Sequence, residues 1–152
     1  MSAAPSDLLA ARASALAYLS RRDHAESELR QKLQRKGYTE SAIGQVLADM
    51  RKAGYLDDAR FAENHCRLRA EAGYGPIKIR YELQCKGVVP ENITHALAAL
   101  ECDFFETCQA VYRRKYGDTP VTDLKDKARR QRFLYQRGFE PETIRATVPD
   151  LL

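Results

Sequence analysis

Leu33-Gln34-Arg35-Lys36-Gly37 returns as Leu83-Gln84-Cys85-Lys86-Gly87 and again as Leu134-Tyr135-Gln136-Arg137-Gly138, at intervals of about 50 residues. In each copy a leucine stands four residues before the glycine, an isoleucine (Ile43, Ile93 or Ile144) six after it, and Leu47, Leu97 or Val148 ten after it. A basic residue and a glycine close many helices, because glycine adopts the left-handed conformation that ends them. Four anchors recurring in the same order go beyond a chance likeness of helix ends and predict a threefold repeat. Units of this length with helical spacing inside them form arrays whose neighbours share a core and whose function lies on an extended surface.

Outward from these turns, the spacing predicts nine helices in three groups of three and no strand. Residues 1–7 are expected to be a disordered lead, with repeats over 8–55, 56–101 and 102–152. Leu9, Ala13, Leu16 and Ser20 have the spacing of a first helix. Asp23 and Glu26 read as a capping box for the second helix, whose apolar stripe is Leu29 and Leu33. Thr39 caps the third, and Asp57 or Asp58 opens the fourth, with Phe61, His65 and Leu68 along it. Pro76 and Pro90 fit the first turns of the fifth and sixth helices, where a missing N–H has no intrahelical partner. Asp103 with Glu106 forms a second capping box, Thr122 caps the eighth helix, and Pro141 begins a short ninth. Arg130 falls where the Leu29 and Ile79 stripe would place an apolar residue, as though the third unit had lost a buried position.

The 152 residues include 25 lysines and arginines against 21 acids, giving a net charge of +4, and 30% of the chain is charged. A sequence pI near 8.9 falls just short of a nucleic-acid footprint, so the distribution of charge matters more than the total. Between Gln109 and Gly138 nine basic residues face three acids. Such a surface attracts phosphate or an acidic protein face. The four cysteines form no C-x-x-C pair and the three histidines are scattered, a pattern of buried thiols in a reducing compartment and not of a metal site. There is no apolar run of membrane-spanning length and no secretory leader, so the chain is expected in the cytoplasm.

No nucleotide-binding loop, H-E-x-x-H or G-x-S-x-G occurs. Asp57 and Asp58 are adjacent and point about 100° apart on a helix, which suits capping better than acid-base catalysis. The chain therefore reads as a binding protein and not an enzyme. Tyrosines stand beside basic residues, as in Tyr112-Arg113-Arg114-Lys115-Tyr116. Both residue types are favoured interface anchors, and both stack on single-stranded bases.

Gly54-Tyr55-Leu56-Asp57-Asp58-Ala59-Arg60-Phe61-Ala62, then Gly73-Tyr74-Gly75-Pro76-Ile77-Lys78-Ile79-Arg80-Tyr81-Glu82-Leu83 and Lys86-Gly87-Val88, with Leu19-Ser20-Arg21-Arg22-Asp23-His24 upstream, together resemble RecX, the bacterial regulatory family of the RecA recombinase. The resemblance runs from about Ala10 to Asp150, is most specific between Gly54 and Gly87, and marks Gly37, Gly54, Tyr55, Asp57, Asp58, Gly73, Gly75, Pro76, Gly87 and Gly138 as structural motif residues. It implies an all-α, elongated and curved array of three tandem three-helix repeats that lodges in the groove of a RecA filament on DNA. Such a protein inhibits ATP hydrolysis, strand exchange and coprotease activity, acts in recombination, repair and the SOS response, and needs no cofactor. The candidate contacts are Arg21, Arg22, Arg113, Arg114, Lys115, Arg129, Arg130 and Arg132, on a chain expected to be monomeric. The alternative is a direct DNA-binding protein that competes for DNA; a helical scaffold for another protein is a third reading.

Overall fold

The computed structural model describes residues 5–151. Among the described residues there are nine α-helices and no strand: α1 (Pro5–Arg21), α2 (Glu26–Arg35), α3 (Glu40–Lys52), α4 (Asp58–Glu71), α5 (Pro76–Cys85), α6 (Pro90–Ala99), α7 (Phe104–Tyr116), α8 (Leu124–Gln136) and α9 (Pro141–Thr147). Residues 5–7 of the expected lead are thus helical, and the expectation for residues 1–4 lies outside the described residues. Backbone contacts divide the described residues into two compact units, one running to residue 62 and including 84–93, the other of residues 63–83 with those from 94 onward.

In the first unit α1 packs on α2 and α3. Its core is Leu29 and Leu33 from α2, Ile43, Val46, Leu47 and Met50 from α3, and Ala11 and Ala15 from α1. The helical period expected for α1 is present but on the opposite face. Ala11 and Ala15 are fully buried, whereas Leu9 is 63% exposed and Leu16 40%. Small alanine side chains let one helix axis approach another closely, so here they outrank the larger leucines as core residues. Leu68, which shares the helical spacing of Phe61 and His65 along α4, is likewise exposed at 58%. In the second unit a core of Cys108 and Tyr112 from α7, Leu134 from α8 and Ile144 from α9 closes around Phe139 and Val121.

Three of the expected caps form, the first at α4, where Asp57 Oδ1 accepts from the Arg60 N–H at 3.1 Å. Thr39 Oγ1 accepts from the Ala42 N–H at 3.2 Å, and the Asp103 carboxylate accepts from the Phe105 N–H at 2.9 Å. Two differ. At α8 the cap is Asp123, which accepts from the Asp126 N–H at 2.7 Å, while Thr122 gives its own backbone N–H to the Asp126 carboxylate. At α2 the capping box is replaced by Ala25, which is fully buried and whose side chain offers no acceptor. The Glu26 N–H instead donates to Asp58 Oδ1 at 2.9 Å, from 32 residues further along. An orphan N–H at a helix start needs some acceptor, and this one comes from the start of α4.

The three repeated turns share one backbone geometry. Gly37, Gly87 and Gly138 have φ of 87°, 78° and 96°, the left-handed region where only glycine is unstrained. Their surroundings differ. Gly87 lies on Ser27 in the first turn of α2, and beside it Lys86 Nζ bonds Glu28 at 3.0 Å. Gly138 lies on the backbone of Lys78 in the first turn of α5, where the Arg137 and Gly138 carbonyls accept from the Gly75 and Ile77 N–H groups at 2.8 and 3.0 Å. Gly75 itself packs on the Gly138 carbonyl too tightly for any Cβ.

Candidate partner-binding surface

In the first unit the α1–α2 link and the first turns of α2 gather cations around one carboxylate. Arg22 Nη2 and Lys86 Nζ reach Glu28 Oε2 at 2.6 and 3.0 Å. Burial alone would raise the Glu28 carboxyl, but the bonds from Arg22 and Lys86 outweigh it and hold the pKa down at about 2. His24 is buried beside them. Its Nε2 lies 2.8 Å from Lys32 Nζ and its Nδ1 3.0 Å from the Arg22 carbonyl. Lysine can only donate, so the ring is neutral with its proton on Nδ1. Burial first, then the Arg22 and Lys32 charges, push the imidazole below its ordinary pKa, against the raising effect of the Arg22 carbonyl. Lys32 and Lys36 stand 5.0 and 5.6 Å from the centre of the Tyr18 ring. Arg21 is exposed, and Arg22 is in part committed to Glu28.

In the second unit α7 turns Tyr112 inward and leaves Arg113, Arg114 and Lys115 exposed. Phe133 on α8 forms a floor beneath two hollows. One, of about 460 Å³, is lined by Val111, Arg114, Lys115, Phe133 and Arg137, and also by the acidic Glu71. The other, of about 400 Å³, is lined by Lys115, Tyr116, Arg129, Arg132 and Phe133. Lys115 Nζ sits 3.9 Å from the Phe133 ring centroid and the Arg137 guanidinium 5.7 Å, positions where the negative face of the ring attracts a cation. Tyr74 is similarly surrounded by Arg69 at 3.8 Å, Arg137 at 4.6 Å and Lys78 at 4.9 Å. Of these, Arg69 is neutralised by a two-pronged bond to Glu82.

Arg130 does not belong to this surface. It is 3% exposed and donates to Tyr112 Oη at 2.7 Å, to the Thr119 carbonyl at 2.8 Å and to the Pro120 carbonyl at 3.0 Å. Its charge is met by Asp126 at 3.0 Å. The Thr122 N–H, against some desolvation, and then Arg130 and Arg129 hold the Asp126 carboxyl at about 2. The third repeat therefore keeps the buried position of Leu29 and Ile79 but fills it with an arginine whose donors are all engaged indoors. Arg129 also pairs with Asp126, from the exposed side.

Lys32, Lys36, Lys86, Arg137, Phe133 and Tyr74 join the clusters without having been among the contact residues expected from the sequence. The available signal was the place of Lys36, Lys86 and Arg137 beside the repeated glycine. Among the motif residues, Gly54 has φ of 84° after α3, Tyr55 is exposed, Asp57 accepts from the Arg60 N–H, and Gly73 has φ of 90° against Val111. Pro76 opens α5. Among the described residues no group of His, Cys, Asp or Glu could hold a metal ion, and no helix is long and apolar enough to cross a membrane. Burial pushes the Cys66 thiol up to about 11 and raises that of Cys108.

Comparison with known proteins gives one family throughout. The models for the first, second and third three-helix domains of RecX match residues 11–50, 57–97 and 101–148. The chain is 40% identical over 131 residues to the regulatory protein RecX of Stenotrophomonas maltophilia, covering 86% of this chain and 80% of that one. It is 36% identical over 143 residues to the RecX of Vibrio vulnificus, covering 94% of each. The crystal structure of RecX from Lactobacillus salivarius superposes with a TM-score of 0.80 at 20% identity, over 95% of this chain and 96% of that one, a likeness of fold. With three matching domain models and relatives of this identity along most of its length, the chain belongs to the RecX family of regulatory proteins.

Proposed function

We propose that this protein acts in the cytoplasm as a monomer that binds the RecA recombinase filament on DNA and restrains it, lowering ATP hydrolysis, strand exchange and coprotease activity. It acts by binding and not by catalysis. The observation that carries the reading is membership of a family of regulatory proteins along 86–94% of the chain. Exposed Arg21, Arg113, Arg114, Lys115 and Arg132, with half-committed Arg22 and Arg129, supply the electrostatic part of the encounter. Opposite charge across such an interface raises the association rate and sets register more than final affinity. The test is DNA-dependent ATP hydrolysis by purified recombinase with and without this protein. Inhibition is expected, and the combined change Arg113→Glu, Arg114→Glu, Lys115→Glu weakens it while helicity stays intact. Unchanged inhibition by that variant at moderate salt rejects the role of the cluster.

Direct DNA binding is the second reading, favoured by Phe133 lying under Lys115 and Arg137. An aromatic floor among cations is the arrangement that holds single strands through stacking and phosphate contacts. A salt titration without recombinase separates the two. Tight binding that falls steeply with salt supports DNA as the partner. Weak DNA binding beside inhibition at substoichiometric amounts supports the filament.

A further inference from the structure

Two of the three basic-glycine turns are seats for the first turn of a helix. A Cβ on Gly87 would stand 2.6 Å from Ser27 Cβ, and one on Gly138 would stand 2.6 Å from Lys78 N, so only glycine lets these helix starts come so near. At Gly138 the turn also lends its carbonyls to the N–H groups at the start of α5, and at Gly87 the basic residue of the turn bonds a carboxylate in the first turn of α2. Helix starts carry unsatisfied N–H groups and partial positive charge, which such carbonyls complement, while an acidic residue there is matched by a lysine. The Lys36-Gly37 turn has the same left-handed geometry. Among the described residues, however, no atom lies within 4 Å of the point where a Gly37 Cβ would stand. Lys36 and Gly37 are exposed, and Lys36 has no carboxylate partner among those residues.

We infer that the Lys36-Gly37 turn is a third seat of the same kind, and that it receives the first turn of a helix on the recombinase. That helix start carries a small residue against Gly37 and a carboxylate for Lys36, as Ser27 and Glu28 do at Gly87 and Lys86. The inference rests on the filament reading above. A second copy of this chain is the poorer occupant. Helices α2 and α5 begin three residues before Leu29 and Ile79, but α8 begins six before Arg130. The added turn, held by Asp123 and Asp126, stands where α2 and α5 present their first residues to a seat.

The test uses the full chain with Gly37→Asn, because asparagine tolerates positive φ while its side chain fills the seat. Gly54→Asn is the control, since Gly54 has φ of 84° and an equally open Cβ position, but its carbonyl is taken by Arg60 of the same chain and it lies outside the repeated turns. Each is assayed for half-inhibition of DNA-dependent ATP hydrolysis, for co-sedimentation with the filament and for sedimentation alone. Gly37→Asn is expected to raise the half-inhibitory concentration about tenfold, and Lys36→Glu to move it the same way, with Gly54→Asn within about twofold of the parent. Inhibition by Gly37→Asn within about twofold of the parent overturns the seat, as does a loss traced to Gly37-dependent self-association. A parent chain that neither binds nor inhibits overturns the filament reading, and the seat's occupant with it.

Discussion

Substituting alanine for Gly37 and for Gly138 in turn asks the same backbone to bear the same strain in two surroundings. Both glycines lie in the left-handed region, at φ of 87° and 96°, where an L side chain costs about 1–2 kcal/mol. Alanine also reduces the freedom of the unfolded chain, which offsets part of that cost, so Gly37→Ala is expected to lose about 1 kcal/mol. At Gly138 the new methyl meets the backbone of Lys78, which cannot rotate away as a side-chain tip could. Forced overpacking adds about 1–3 kcal/mol. Displacing the Gly75 or Ile77 bond adds about 1 kcal/mol more. Gly138→Ala should therefore cost about 3–5 kcal/mol, with Gly87→Ala between the two because Ser27 presents a side chain and not backbone. Urea denaturation followed by circular dichroism at 222 nm measures all three. In a chain of this size each kcal/mol moves the thermal midpoint by about 2–4 °C, so the ranking is easily resolved. Equal losses at the three glycines would refute the packing argument and leave only the shared backbone strain.

Three further outcomes are expected. Arg130→Met leaves Asp126 buried beside the exposed Arg129 alone, and should destabilise at least as much as Leu33→Ala, for which about 2–5 kcal/mol is typical; adding Asp126→Leu should restore part of the loss, and strict additivity in urea melts would contradict the pairing. Stability should fall in two steps as pH drops. His24 has a lowered folded pKa, so below about 6.5 the unfolded chain takes up a proton that the folded chain declines. Glu28 and Asp126, held at about 2, contribute stability that is full above the ordinary carboxylate range and is lost as pH falls through it toward 2. His24→Gln should remove the upper step of the urea midpoint against pH and spare the lower one. Asp58→Ala should cost about 1 kcal/mol by orphaning the Glu26 N–H, and hydrogen exchange at that amide should speed up; an unchanged exchange rate would show that Asp58 is not its acceptor.

The repeated turns were legible because glycine at positive φ is a local demand that leaves a local mark, and the helices followed from Thr39, Asp103, Pro76 and the leucine spacing around them. Features that depend on distant partners were not. Helix α1 has apolar residues on both faces, so its period is visible but the buried face is chosen only when α3 is in place. Arg130 reads as surface charge until Asp126, Tyr112 and the Thr119 carbonyl surround it. The cap of α2 sits on α4, beyond the reach of any window that looks for a cap beside its helix. In the candidate surface, the run Arg113 to Lys115 was plain in the sequence, whereas the aromatic floor beneath it required the placement of α8 against α7.

The debt of α2 to Asp58 has a bearing on how the polypeptide is made. During translation the start of that helix remains unsealed until residue 58 has left the ribosome, and Gly87 must follow before Ser27 is covered. A nascent chain cut short inside α3 thus displays a frayed end that the finished molecule hides.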